Sequence, residues 1–104
     1  MKRATITVGQ GFTKSGEPIK ELEAKREAAF IEASLKFGGY TVAYVSGGWF
    51  NFQKELVQEP SMVMTIMGEN TPAEFKSYAG FLKGLFDQEA VLVTVEWIEF
   101  AEFV

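Results

Sequence analysis

The stretch SMVMTIMGENTPAEF, residues 61–75, contains the strand-to-helix transition that decides the fold. Its first part, SMVMTIM, is short and mostly apolar, which is typical of a buried strand. Thr71-Pro72-Ala73-Glu74 then has the pattern of a capping box: the threonine caps a helix, the proline occupies the first turn and the glutamate bonds back to the threonine. The sequence therefore predicts a strand over 61–67 and a helix that begins directly after Thr71.

The other elements are predicted on both sides of this transition. A 3.6-residue apolar repeat predicts a first helix over 19–37, with Pro18 in its first turn and Gly38-Gly39 as its end. β-rich runs predict strands over 4–9, 40–46 and 90–98. The order β-α-β-β-α-β, in a single domain over 1–104, is that of the ferredoxin-like plait, an α+β fold with a four-stranded antiparallel sheet and two helices on one face. Unrelated functions occur on this plait, so the fold predicts none of them.

The predicted core lies between the helices and one face of the sheet. We expect it to contain Phe30, Phe75, Leu82, Phe86, Val93 and Trp97. The other face cannot be fully polar, because Leu92 and Ile98 point to it and both alternating sets of 61–67 are largely apolar. A bare apolar face is usually covered by a second subunit, so we expect a homo-oligomer, either a dimer or a higher even-numbered assembly. A ligand platform on the same face is the alternative.

Two absent residue types limit the chemistry. The chain has no Cys, which excludes disulfides and thiolate nucleophiles, and no His, which removes the usual general base near neutral pH and the commonest metal ligand. An enzyme would have to work with Glu, Asp, Lys, Tyr, Ser or Thr. The composition therefore predicts a protein that is not an enzyme, with no catalytic residue, no metal and no cofactor.

Charge and hydropathy limit the partners. The formal net charge is −4 and no basic run is present, so we expect neither DNA or RNA nor an anionic membrane as partner. No apolar stretch approaches the length of a membrane span, and the N-terminus lacks the apolar core of a signal peptide. We therefore expect a cytoplasmic protein.

The connection from Gly47 to Pro60 is long for a hairpin and carries aromatic side chains. Trp49 and Phe50 either fold over the core or form one wall of a pocket for a planar ligand, with Asn51 and Lys54 as hydrogen-bonding groups. Three acidic residues are interpreted as solvated or structural, because no constellation surrounds them. They are Glu55, Glu59 and Glu89.

Candidate cations come from the first helix and from the loop before it. Arg26 falls within the apolar arc of the helix, where it extends its charged end to solvent at the rim, pairs with a structural glutamate or binds an anion. In the loop GQGFTKSGEP, Lys14 and Ser15 precede a helix N-terminus, where anions are favoured. Glu17 stands where a Walker A motif has its lysine, so the loop is not a phosphate loop of that type, and a plain flexible loop is the alternative.

Three segments together resemble a group of small phage and bacterial proteins of unknown function. They are GGYTVAYVSGGW, ELVQEPSMVMTIM and FLKGLFDQEAVLVTVE, and the resemblance spans residues 38–96. Its shared features are a Gly-Gly-Trp turn, a Glu-Pro-Ser start of the third strand and a Gln-Glu-Ala-Val-Leu start of the fourth. The residues on this pattern are Trp49, Glu59, Ser61, Gln88 and Glu89. The resemblance implies a ferredoxin-like fold and a phage origin, and it supplies no activity.

These observations predict a small non-enzymatic binding protein, encoded by a phage and acting in the host cytoplasm. From the phage origin that the resemblance implies, we expect it to sequester a small anionic nucleotide-type signal and so to counter host antiviral defence. Its predicted ligand-binding residues are Trp49, Phe50, Asn51, Lys54, Arg26, Lys14 and Ser15. Two alternatives stay open: an oligomeric protein–protein inhibitor or accessory factor, and a lyase or isomerase of the dimeric plait type that works without histidine.

Overall fold

A computed structural model describes residues 1–104 and contains four strands and two helices. They are, in chain order, β1 (Lys2–Gly9), α1 (Leu22–Phe37), β2 (Thr41–Phe50), β3 (Leu56–Gly68), α2 (Pro72–Leu85) and β4 (Leu92–Trp97). The strands form one antiparallel sheet in the order β2-β3-β1-β4, with α1 and α2 packed on the same face. The predicted α+β ferredoxin-like plait is therefore confirmed. No helix has the length and apolar character that a membrane crossing requires.

Helix α2 begins where its capping box predicts. The Thr71 hydroxyl accepts a hydrogen bond from the Glu74 backbone N–H, and the Glu74 carboxylate accepts one from the Thr71 backbone N–H at 3.0 Å. The bond from the Thr71 backbone, followed by the one from the Asn70 side chain, lowers the pKa of Glu74 below its ordinary value. The cap thus stabilises the ionised form of a carboxylate that is exposed to solvent.

Helix α1 begins later than the apolar repeat predicts, at Leu22 rather than Ile19. Pro18 is held in an isolated antiparallel bridge with Phe12, so it belongs to the loop and not to the first turn. Glu21, with a φ of 54°, then turns the chain into the helix without a side-chain cap. The predicted glycine stop is present: Gly38 has a φ of 86°, a left-handed conformation that glycine adopts without a steric penalty.

The core lies between the two helices and one face of β1 and β3. Its largest fully buried side chains are Tyr78, Phe75, Phe86, Ile6, Met62, Met64, Ile66, Leu82 and Val8. The Tyr78 hydroxyl donates to the Ala29 carbonyl at 2.6 Å, which ties α2 to α1, and burial raises the pKa of this phenol.

Two side chains depart from the predicted core. Trp97 is 74% exposed at the end of β4, and the Nζ of Lys2 lies 4.5 Å from its ring centroid. Phe30 is half-buried at the edge of the core and stacks on Tyr40. The other four predicted positions agree: Phe75, Leu82 and Phe86 are buried, and Val93 packs against them half-buried.

The segment predicted as a long loop is mostly strand. Strands β2 and β3 pair without interruption from Thr41↔Thr65 to Phe50↔Leu56, so Gly47-Gly48-Trp49 lies within β2 and is not a turn. Residues 46–50 and 56–60 form a two-stranded ribbon, here called the hairpin arm, that extends beyond the last pair of β1 with β3, Gly9↔Ser61. The glycines and Pro60 concealed the alternation that marks a strand. A short turn over 51–55 closes the arm, and the Asn51 side chain accepts two backbone N–H groups there.

The face of the sheet opposite the helices, here called the open face, is largely uncharged in its centre. One row across all four strands consists of Thr41, Thr65, Thr5 and Thr94, and the next consists of Ala43, Val63, Thr7 and Leu92. Neither row contains a charged side chain. Small and β-branched residues in this arrangement are typical of a sheet surface that packs against another layer.

Candidate functional site

A half-open cavity of about 900 Å³ lies on the open face, at the end where β1 stops. Three separate segments enclose it. The lining residues are Thr7, Gly9, Phe12, Thr13, Lys14 and Gly16 from β1 and the following loop, Trp49, Asn51, Val57, Glu59 and Ser61 from the hairpin arm and β3, and Gln88, Glu89, Ala90, Val91 and Leu92 from the segment between α2 and β4. A cavity of this size holds a ligand as large as a nucleoside with a side chain.

The Glu59 carboxylate packs closely against two glycines, Gly9 and Gly11. A β-carbon on Gly9 would meet its Oε1 at 2.7 Å, and one on Gly11 would meet its Oε2 at 3.1 Å. No side chain could be added at Gly9 without displacing the carboxylate. The Gly9-Gln10-Gly11 segment at the end of β1 therefore gives Glu59 its place on the cavity floor, where its carboxylate has no hydrogen bond or ion pair to another side chain.

Gln88 presents a hydrogen-bond acceptor to the same floor. Its side chain is 9% exposed, and its Nε2 donates to the carbonyls of Phe12 at 2.8 Å and Phe86 at 3.0 Å. These two bonds fix the orientation of the amide. Its Oε1 then lies 2.6 Å from the position that a β-carbon on Gly9 would take, beside the Glu59 carboxylate. The two oxygens are close enough for one ammonium group to bond to both.

Ser61 adds a third polar group beside the floor. It is the cross-strand partner of Gly9, it is 9% exposed, and its hydroxyl has no side-chain or backbone hydrogen-bond partner. Carboxylate, amide oxygen and hydroxyl thus come to the cavity from two segments, β3 and the stretch between α2 and β4, and all three can accept a hydrogen bond. The arrangement suits a ligand group that brings its own N–H donors.

Aromatic side chains supply the apolar walls. Trp49 lies on the hairpin arm opposite Val57, is 50% exposed and faces the cavity. Phe12 lines it from the loop that follows β1. A half-exposed indole in the wall of a cavity is a stacking surface for a planar ring or a cation.

The charges of the lining are predominantly negative. Glu59 and Glu89 carry the two carboxylates, and Lys14 is the one basic residue of the lining. The Lys14 ammonium group lies 3.5 Å from the Asp87 carboxylate, which neutralises part of its effect at the rim. The cavity is therefore better matched to a cation than to an anion. No group of three or more His, Cys, Asp or Glu side chains is arranged to hold a metal ion.

The structure brings three of the predicted ligand-binding residues together and separates the other four. Trp49, Asn51 and Lys14 line the cavity. Phe50 points to the other side of the hairpin arm, Lys54 lies in the turn at its tip, and Ser15 bonds to the Thr13 hydroxyl outside the lining. Arg26 lies on the helix side of the sheet, where it donates to Gln10 and Glu23 and covers the Tyr44 ring.

Two of the three acidic residues were interpreted wrongly from the sequence. Glu59 and Glu89 were interpreted as solvated or structural, whereas both line the cavity; Glu55 bonds to Asn51 in the turn. The signal in the sequence that could have found the site is the set of residues on which the resemblance to small phage and bacterial proteins was based. All five of its residues line this one cavity: Trp49, Glu59, Ser61, Gln88 and Glu89.

Comparison with solved structures places this fold among known proteins. A phage SAM lyase in its apo state superposes with a TM-score of 0.68 at 19% identity, covering 91% of this chain and 78% of the other. A phage SAM lyase in complex with S-methyl-5'-thioadenosine gives 0.65 at 18% identity, covering 91% and 79%. The divalent cation tolerance protein Cut A1 from Thermus thermophilus gives 0.65 at 12% identity, covering 98% and 88%. No protein-family model matches the sequence, and no curated protein matches it.

These neighbours support the resemblance to small phage and bacterial proteins in its coarse form, as a ferredoxin-like fold found in both sources. They also correct one prediction. The missing histidine and cysteine predicted a protein that is not an enzyme, and this prediction is wrong as an argument from the fold, because a phage SAM lyase, which is an enzyme, has the same fold at similar size.

Proposed function

We propose that the protein is a lyase that cleaves S-adenosylmethionine and that the cavity on the open face is its active site. The observation that carries the proposal is the floor around Gly9, where the Glu59 carboxylate and the Gln88 amide oxygen converge beside the exposed face of Trp49. S-adenosylmethionine has the groups that such a site would take: a planar purine, a sulfonium cation and an α-ammonium group.

The ammonium group of the substrate binds at the floor. Its three N–H donors match the three unpartnered acceptors, which are the Glu59 carboxylate, the Gln88 Oε1 and the Ser61 hydroxyl. Because this positive charge persists throughout the reaction, holding it with a carboxylate fixes the amino-acid part without opposing the chemistry.

The sulfonium group lies toward the aromatic wall formed by Trp49. Cleavage removes the positive charge from sulfur, so an apolar and partly desolvated surface favours the transition state over the charged substrate. The indole also offers a face on which the adenine ring or the sulfonium group can pack.

The reaction needs no base from the protein. The substrate's own carboxylate attacks its γ carbon, the C–O bond forms as the S–Cγ bond breaks, and the electron pair stays on sulfur. The products are S-methyl-5'-thioadenosine and homoserine lactone, and neither water nor a proton is consumed. Removal of a β hydrogen by Glu59 or Glu89 is the weaker alternative, because a carboxylate is a poor base for an unactivated C–H bond.

Sequestration of an anionic nucleotide-type signal is the second candidate. The nucleoside part of such a signal fits the aromatic wall of the cavity. The phosphates fit less well, because the lining carries two carboxylates against the single, partly paired Lys14. If the protein is encoded by a phage, consumption of a host nucleoside cofactor is a further way in which it would act against host defence in the host cytoplasm.

We also propose that the open face is covered by another copy of this chain. Its two central rows are uncharged, and the hairpin arm exposes Trp49, Phe50 and Leu56 on a two-stranded ribbon. Such a ribbon is marginal in water without a supporting layer. Self-association through this face would cover both features and close the half-open side of the cavity.

Calorimetric titration of the purified protein distinguishes the candidates. The matched ligands are S-methyl-5'-thioadenosine, S-adenosylhomocysteine, which adds the amino-acid part without a reactive sulfonium, and a cyclic dinucleotide as the anionic ligand. We expect S-adenosylhomocysteine to bind most tightly and the cyclic dinucleotide to give no heat. Tight binding of the dinucleotide alone would favour sequestration.

A further inference from the structure

Arg26 and Gln10 lie behind the cavity floor, on the helix side of the sheet. The Nε of Arg26 donates to the Oε1 of Gln10 at 2.8 Å. Gln10 is 3% exposed, so this charge-assisted bond is made in a largely dry environment, where it is stronger than at the surface. It connects α1 to the first residue after β1.

Gln10 also donates hydrogen bonds to two residues next to the cavity floor. Its backbone N–H donates to the Pro60 carbonyl at 2.9 Å, next to Glu59, and its Nε2 donates to the Gly9 carbonyl at 3.2 Å. The two residues on either side of it, Gly9 and Gly11, are the ones that the Glu59 carboxylate rests on. Gln10 does not line the cavity, whereas its neighbour Gly9 does.

We infer that Arg26 is a positioning residue, which holds the Gly9–Gly11 segment under Glu59 by anchoring Gln10. The inference rests on the proposed function for the role of Glu59 in binding substrate. Arg26 would then act on the cavity floor through Gln10, although Arg26 itself does not line the cavity. Its other contacts, with the exposed Glu23 and the Tyr44 ring, keep the guanidinium group in the orientation that Gln10 needs.

The first test uses protein without ligand. Arg26→Met keeps the apolar stem and removes the donor, and Lys36→Met is the matched control, because it removes an exposed ion pair with Glu32 on the same helix. Amide order parameters from NMR relaxation should fall at Gly9 and Gly11 in Arg26→Met and stay unchanged in Lys36→Met. Unchanged order at both glycines in Arg26→Met would overturn the inference, whatever the protein binds.

The second test asks whether Arg26 acts through Glu59. Arg26→Met should weaken S-adenosylhomocysteine binding about tenfold, and Arg26→Lys, which keeps a donor, should recover most of the loss. In a Glu59→Gln background the same change should cost less than about twofold, because the bond that it supports is already gone. Equal losses in both backgrounds would indicate a merely structural residue and overturn the inference.

The two hypotheses fail separately. If the wild-type protein binds neither S-adenosylhomocysteine nor S-methyl-5'-thioadenosine, the proposed function fails. The relaxation data on Gly9 and Gly11 then decide the positioning role alone.

Discussion

Glu59 and Gly9 are in contact across the end of the sheet, so that a β-carbon on Gly9 would stand 2.7 Å from the Glu59 Oε1 and 2.6 Å from the Gln88 Oε1. Gly9→Ala should therefore displace both oxygens while leaving the strand intact. We expect binding of S-adenosylhomocysteine to fall about tenfold or more, since two charge-assisted bonds to its ammonium group are disturbed. Binding of S-methyl-5'-thioadenosine, which has no ammonium group, should change much less.

Gly39→Ala is the control for this change, because a β-carbon there meets nothing within 4 Å. It should leave the affinity for both ligands as in the wild type. If Gly9→Ala lowers the affinity for both ligands equally, the cavity floor does not bind the ammonium group.

Self-association through the open face is tested with a charge at Leu92, which is 64% exposed in the single chain. Leu92→Glu should dissociate the assembly, because a carboxylate would be forced into an apolar contact. Leu35→Glu places the same charge on the exposed side of α1 and should not. Light scattering on both variants measures the outcome, and a wild-type protein that scatters as a monomer would contradict the prediction.

The core is tested by two aromatic truncations. Phe86 is fully buried, so Phe86→Ala should lower the free energy of unfolding by about 3–5 kcal/mol. Trp97 is largely exposed, and Trp97→Ala should cost less than about 1 kcal/mol, mostly from the lost contact with Lys2. Urea unfolding of the two variants measures both values. Similar losses for the two changes would mean that β4 is buried to its end.

Acid should weaken the cap of α2. The pKa of Glu74 is lowered in the folded protein, so its contribution to stability is fully present above the ordinary glutamate value and is lost as the pH falls through the lowered one. Glu74→Gln should therefore lower the melting temperature at pH 7 and make little difference near pH 2. The exposed Glu102→Gln is the control. A Glu74→Gln effect of the same size at both pH values would contradict this assignment.

The fold could be predicted from the sequence because its signals are local. The capping box at Thr71 and Glu74 defines one helix start by its own hydrogen bonds, and the alternation in β1 defines which of its side chains meet the helices. The hairpin arm could not, since Gly47, Gly48 and Pro60 are residues that usually end strands. Here they are accommodated because the pairing of β2 with β3 continues past the edge of the sheet.

The candidate site could be predicted from the sequence only in part. Trp49 stood out as an aromatic residue in a connection, but Glu59, Ser61 and Gln88 have no local signal that joins them. They meet because β3 passes Gly9 at Ser61 and the segment after α2 lies beside the same glycine, which is a property of the three-dimensional arrangement. Arg26 was recognised as unusual for the right reason, its place in an apolar arc, but its partner Gln10 belongs to another element.

The most direct measurement of the central claim is the turnover of S-adenosylmethionine, followed by mass spectrometry against its spontaneous decomposition. We expect the wild-type protein to form S-methyl-5'-thioadenosine and homoserine lactone in equal amounts. Glu59→Gln should lower kcat/KM about tenfold or more, because the ammonium group loses its ionic partner. If a folded wild-type protein at saturating substrate produces S-methyl-5'-thioadenosine no faster than buffer alone does, the proposal that the protein cleaves S-adenosylmethionine is contradicted.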